Sequence, residues 1–121
     1  MERTGYINEV FLSIQGEGIY AGKLQIFIRV SGCSLNCVYC DTPSARGRVR
    51  VCSLRDGDSV VEVKNPVDSS TLVPFIEKVF NRAIGVHAIT LTGGEPLEQS
   101  DFLRTLIEKI KHLGLPIYLE T

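Results

Sequence analysis

At 121 residues, with 44% hydrophobic and 22% charged side chains, the chain fits one small domain with a modest core. A formal net charge of −1 gives no electrostatic case for binding nucleic acid or an anionic membrane, and no apolar run reaches the length of a spanning helix. Three of the four cysteines crowd one loop and no signal peptide precedes the domain, which suits a reducing cytoplasm better than a secreted disulfide framework.

Residues 1–5 read as a loose start, and 6–14 as a strand running into Gln15, Gly16, Glu17 and Gly18. A glycine turn between two strands explains this segment. It is not a dinucleotide fingerprint, because a strand follows it and not a helix. Glu17 stays open between a ligand and a solvated charge. The strand at 24–30 has two faces: Ile26, Ile28 and Val30 form an apolar set, and Gln25, Phe27 and Arg29 a mixed one. In a barrel-like sheet the apolar set lies under helices and the mixed set faces the interior. An arginine there is costly unless an anion answers it, and its planar fork suits a carboxylate. The competing expectation is an edge-strand arginine that reaches out to water.

Cys33, Cys37 and Cys40 follow as C-x3-C-x2-C after the Ser31–Gly32 turn. So tight a loop denies its thiols separate packing roles, and three thiolates aimed at one point are best explained by a metal centre. They are one ligand short of a closed zinc site or an ordinary four-cysteine cluster. A [4Fe–4S] cluster on three cysteines leaves one iron open, and a small molecule with an amine and a carboxylate can chelate it. Thr42 offers a hard oxygen suited to Mg²⁺, although Asp41, Thr42 and Pro43 also read as a turn.

Residues 44–65 predict a β-hairpin inserted in the first crossover, its strands at 48–52 and 60–63 and its turn at 55–58. The basic residues at 46, 48 and 50 guard an edge strand against sheet-to-sheet pairing. Cys52 reads as an ordinary hairpin cysteine, with a fourth ligand as the alternative. Ser69 or Ser70 caps a helix through about residue 81, with Pro74 tolerable only in the first turn and Leu72, Phe75, Ile76, Val79 and Phe80 as its buried face. A buried strand at 86–91 leads into Thr92, Gly93, Gly94, Glu95 and Pro96, with His87 as a structural residue. In a parallel sheet this loop lies at a strand's carboxyl end, where such folds bind ligands. Ser100 or Asp101 caps a second helix with the stripe Phe102, Leu103, Leu106, Ile107 and Ile110. His112 is expected to be solvated at its end, Gly114 stops it, and residues 115–121 form a last strand.

C-x3-C-x2-C after a first strand resembles the signature of radical S-adenosylmethionine (SAM) enzymes. Together with Gln15–Gly18, Gly22, the segment 27–33, Cys40–Pro43 and Thr92–Pro96, the chain resembles the 7-carboxy-7-deazaguanine synthase family of the queuosine pathway. The resemblance implies an α/β fold, the N-terminal half of a partial (β/α) barrel with crossover helices. It implies a [4Fe–4S] cluster on Cys33, Cys37 and Cys40, and SAM contacts from Tyr39, Cys40, Asp41 and Gly94. Ile14, Gln15, Gly16, Arg29 and Thr92 would contact a small pterin substrate, with Arg29 on its carboxylate, and Thr42 would bind Mg²⁺. An electron from a flavodoxin-like donor would cleave SAM. The resulting radical would take a hydrogen from 6-carboxy-5,6,7,8-tetrahydropterin, and ring contraction with loss of ammonia would follow.

The resemblance reaches only half of the family's length, so residues 1–121 are expected to be an incomplete domain, a fragment or one half of a split protein. It implies a homodimer for the full length. Two other function classes remain. An activase of a glycyl-radical enzyme would share cluster and SAM but act on a protein; the Gln15–Gly18 segment and Thr42 speak against it. A non-catalytic zinc module needs a fourth ligand from Cys52, His87 or His112, all at unpromising separations.

Overall fold

The alternation of apolar and polar residues in the early strands dictates a sheet with one dry face and one mixed face. A computed structural model describes residues 4–16, 21–31, 50–93 and 96–120. In chain order these give β1 (Thr4–Gly5), β2 (Ile7–Ile14), β3 (Leu24–Val30), β4 (Val51–Asp56), β5 (Ser59–Lys64), β6 (Val67–Asp68), α1 (Ser69–Arg82), β7 (Ala88–Gly93), α2 (Ser100–Ile110) and β8 (Ile117–Leu119). A six-stranded sheet has the order β5-β4-β2-β3-β7-β8, and β1 and β6 form a small pair beside it. β2 and β3 are an antiparallel hairpin, whereas β7 pairs parallel with β3, β8 with β7, and β4 with β2. The α/β partial barrel that the resemblance implies is present, but with parallel strands on only part of the sheet, because the short Gly-rich connection after β2 returns the chain as an antiparallel hairpin.

The register sorts the faces. Val10 stands opposite Ile28 and Leu54, Ile28 opposite Leu91, and Ile26 opposite Ile89. These residues are buried with Leu72, Ile76 and Val79 of α1 and Phe102, Leu103, Leu106 and Ile110 of α2, so both helices cover one face. Removing that much apolar surface from water is the main stabilising term. The other face carries Glu9, Phe11 and Ser13 from β2, Gln25, Phe27 and Arg29 from β3, and Thr90 and Thr92 from β7.

Several boundaries differ from expectation, each for a local reason. The hairpin strands run further into the turn, because Gly57 takes φ +65° and lets Arg55 pair with Val60 across a tight connection. The hairpin also joins the main sheet through β4. Asp68, not Ser69 or Ser70, caps α1: its carboxylate accepts from the Thr71 amide at 2.9 Å and hydroxyl at 2.7 Å. Pro74 is therefore the sixth helical residue, past the first turn, where both it and Ser70, the residue whose hydrogen bond it removes, are exposed. α2 follows a 3₁₀ turn at Pro96–Gln99 and has no side-chain cap. The strand expected at 86–91 is in register from Ala88 to Gly93. His112 is not merely solvated; its Nε2 lies 2.8 Å from Glu77 of α1. A 3₁₀ turn at Lys111–Leu113 continues α2, and Gly114 stops it at φ +73°, as expected. Among the described residues, no helix is long and apolar enough to cross a membrane.

Candidate functional site

A pocket of about 270 Å³ opens on the mixed face, lined by Phe11, Ser13, Ile14, Gln15, Gly16, Phe27, Arg29, Thr92 and Glu120. Its floor is the pair Phe11 and Phe27, directly opposite in register and stacked with ring centroids 5.3 Å apart and planes 11° from parallel. Stacked on each other, the two rings give the pocket an apolar aromatic floor.

At one end stands Arg29. Its guanidinium carbon lies 5.4 Å from the centre of the Phe11 ring, and its Nη1 is 2.6 Å from Oε1 of Glu9 on the neighbouring strand. The other carboxylate oxygen of Glu9 accepts from Nε of Arg55 at 3.0 Å. Two cations therefore share one anion, and Arg29 sits in a central strand, not at an edge. Thr92 is its direct partner on β7. Gly93 has φ +112°, and a Cβ there would meet the Arg29 Cγ and the Val30 carbonyl oxygen at 2.5 Å each. Only glycine lets the backbone pass so close to Arg29.

Gln15 stands at the other end. β2 runs antiparallel to β3, so Gln15 lies opposite Lys23 just before β3, six residues and roughly 20 Å along the strand from Arg29. Its amide nitrogen donates to Oε1 of the buried Gln25 at 3.1 Å and reaches Oε1 of Glu120 at 3.5 Å. Its carbonyl accepts from the Gly16 amide at 3.0 Å. Gln25 is fixed in turn by the Thr90 hydroxyl at 2.5 Å and by Nδ1 of His87 at 3.2 Å. His87 thus has the structural role expected of it.

The fold brings together Ile14, Gln15, Gly16, Arg29 and Thr92, which come from three separated segments. Glu9, Phe11 and Glu120 escaped the sequence reading, which puts Phe27 on the interior face without a role in the site. Inward alternation on β2 and β3 marks Glu9, Phe11 and Phe27, while Glu120 follows the last strand and carries no local signal. Cys33, Cys37, Tyr39, Cys40, Asp41, Thr42 and Gly94 lie outside the described residues, as does Glu17.

The ends of the cysteine loop and of the glycine loop are nevertheless tied together. Gln99 donates through Nε2 to the carbonyls of Tyr6 at 2.8 Å and Ser31 at 3.1 Å, and its Oε1 accepts from the Tyr6 amide at 2.6 Å. Ser31 is the last described residue before the cysteines, and Gln99 follows the Gly94 loop. By their chemistry and spacing, three thiolates in a C-x3-C-x2-C run suit an iron–sulfur cluster. Cys52 is fully buried in the helix-covered core, where burial, with a smaller contribution from the Glu9 carboxylate, pushes its thiol up to about 12. With His87 bonded to Gln25 and His112 paired with Glu77, the three candidate fourth zinc ligands point to different places. Among the described residues, no group of three or more His, Cys, Asp or Glu could hold a metal ion.

Comparison with known proteins agrees with this donor set. Residues 14–118 match the family model described as a 4Fe-4S single cluster domain. The 7-carboxy-7-deazaguanine synthase of Methanopyrus kandleri is 38% identical over 118 residues, covering 95% of this chain and 47% of that protein. That of Geobacter sulfurreducens is 39% identical with the same coverage of 95% and 47%. The crystal structure of QueE from Escherichia coli superposes with a TM-score of 0.70 at 28% identity, over 98% of this chain and 52% of that one. The chain thus spans about half the length of the curated relatives it matches. Matched from residue 14 to residue 118, the chain belongs to the 4Fe-4S single cluster domain family, and the relatives it resembles include 7-carboxy-7-deazaguanine synthases.

Proposed function

We propose that this chain carries the cluster-binding and pterin-binding part of a radical SAM lyase that converts 6-carboxy-5,6,7,8-tetrahydropterin to 7-carboxy-7-deazaguanine with loss of ammonia, in the queuosine tRNA-modification pathway. One observation supports it above all. Gln15, Arg29 and Thr92, far apart in sequence, line a single pocket over an aromatic floor. Arg29 would hold the substrate carboxylate with its planar fork. Gln15, with Glu120 beside it, offers a donor and acceptors to the polar edge of the ring system. Phe11 and Phe27 would carry the ring and exclude water from it.

Cys33, Cys37 and Cys40 would hold the [4Fe–4S] cluster, which together with SAM supplies a carbon-centred radical able to take a hydrogen atom from the substrate. Tyr39, Cys40, Asp41 and Gly94 would hold SAM, and Thr42 a Mg²⁺ ion between protein and substrate. A flavodoxin-like electron donor and a homodimeric full-length protein complete the reading, with 44–65 as an insertion in the domain.

Anaerobic reconstitution followed by SAM cleavage under a strong reductant is the test. About four irons and sulfides per chain, 5′-deoxyadenosine, and product from carboxy-tetrahydropterin are expected, with iron lost in Cys33→Ala. A protein that loads zinc, or stays colourless, would overturn it.

A further inference from the structure

The β4–β5 hairpin places Arg55 against Glu9, beside the Arg29 end of the pocket, and nothing in the proposed chemistry uses it. Phe11 pairs with Phe27 on one side and with Arg55 on the other, so Arg55 belongs to the same inward-facing row as the aromatic floor. Its Nε binds Glu9 at 3.0 Å, and Glu9 in turn binds Arg29 at 2.6 Å. Glu9 is the least exposed member of the three, its side chain only 17% accessible against 43% for Arg29 and 54% for Arg55.

The charges decide what this arrangement does. Glu9 orients Arg29 but also cancels it: alone, the pair is neutral, and the Glu9 carboxylate repels any second carboxylate brought to the same guanidinium. With Arg55 on its other oxygen, Glu9 keeps its orienting role while the three groups together retain one positive charge. We propose that Arg55 is a positioning residue that answers Glu9 and thereby leaves Arg29 with the field needed to select a carboxylate-bearing ligand. This rests on the pterin-6-carboxylate reading of the pocket. It also gives the hairpin a part in ligand selection.

The test is a binding titration of the anaerobically reconstituted protein with 6-carboxypterin and with pterin lacking the carboxylate. The wild type is expected to prefer 6-carboxypterin. Arg55→Ala should reduce that preference about fivefold with pterin affinity unchanged, Arg55→Lys should restore most of it, and Glu9→Gln added to Arg55→Ala should also restore it, because the charge that Arg55 answers is gone. Arg55 is more than half exposed, so its loss leaves the core intact. Unchanged preference in Arg55→Ala, or an equal loss for both ligands without recovery in the double variant, overturns the role of Arg55 and leaves the pocket reading standing. A wild type that shows no preference for the carboxylate overturns the pocket reading and the role of Arg55 with it.

Discussion

Two residues at the heart of the sheet show how tightly single positions are constrained. Gly93 has a left-handed φ of +112° and no room for a Cβ against Arg29 and Val30. Gly93→Ala is expected to lower stability by about 2 kcal/mol or more and to swing Arg29 out of the pocket. Thermal melting and 6-carboxypterin binding would show both effects, and wild-type values for both would contradict them. Cys52 is the opposite case, a reactive group made inert by its surroundings. Its thiol titrates at about 12 in the fold against an ordinary 9.0, because burial disfavours the thiolate. Below pH 9 both folded and unfolded states keep the proton, and the contribution of Cys52 to stability is whole. As pH rises from 9 towards 12 the unfolded state sheds its proton first, so that contribution shrinks. The stability gap between wild type and Cys52→Ala should therefore narrow across that interval in denaturant titrations. A widening gap would contradict the assignment.

The elements show side chains standing in for missing backbone partners. Asn65 donates to the Ile7 carbonyl at 2.8 Å and accepts from the Ile7 amide, replacing a strand neighbour where β2 is irregular. Gln99 does the same for Tyr6. These two amides pin the start of β2 from both sides, and through Ser31 fix where the cysteine loop leaves β3. At α1, Asp68 satisfies an otherwise orphaned amide. Asp68→Ala should lower stability by about 1 kcal/mol, whereas truncation of the exposed Ser70 should have less effect, a ranking that urea unfolding would check. β5, although exposed along most of its length, is anchored at its turn, where Asp56 pairs with Arg82 and, at 3.7 Å, with Lys78 of α1. The hairpin is thus held by the sheet on one side and a helix on the other, which keeps Arg55 beside Glu9.

At the scale of the whole molecule, the sheet separates two kinds of burial. Its apolar face and two helices make the core, while its mixed face keeps polar groups wherever each finds a partner. Another pocket, about 250 Å³ and lined by Leu91, Leu103, Ile107 and Leu119, lies on the helix side and holds none of the expected site residues. By itself the sequence determined the faces of β3, the buried stripes of both helices, the glycine stop and the kinship with a 4Fe-4S family. Those features depend on local periodicity, spacing and side-chain chemistry, all of which survive in a linear chain. Only the tertiary structure decided that Gln15 meets Arg29 across one aromatic floor, that Glu9 stands between two arginines, that Asp68 caps α1, and that Cys52 faces the core. All but the Asp68 cap, a local contact to a residue three positions on, follow from strand order and register, which bring residues from distant segments to one place, and a one-residue slip in register would have sent the strand side chains among them to the other face.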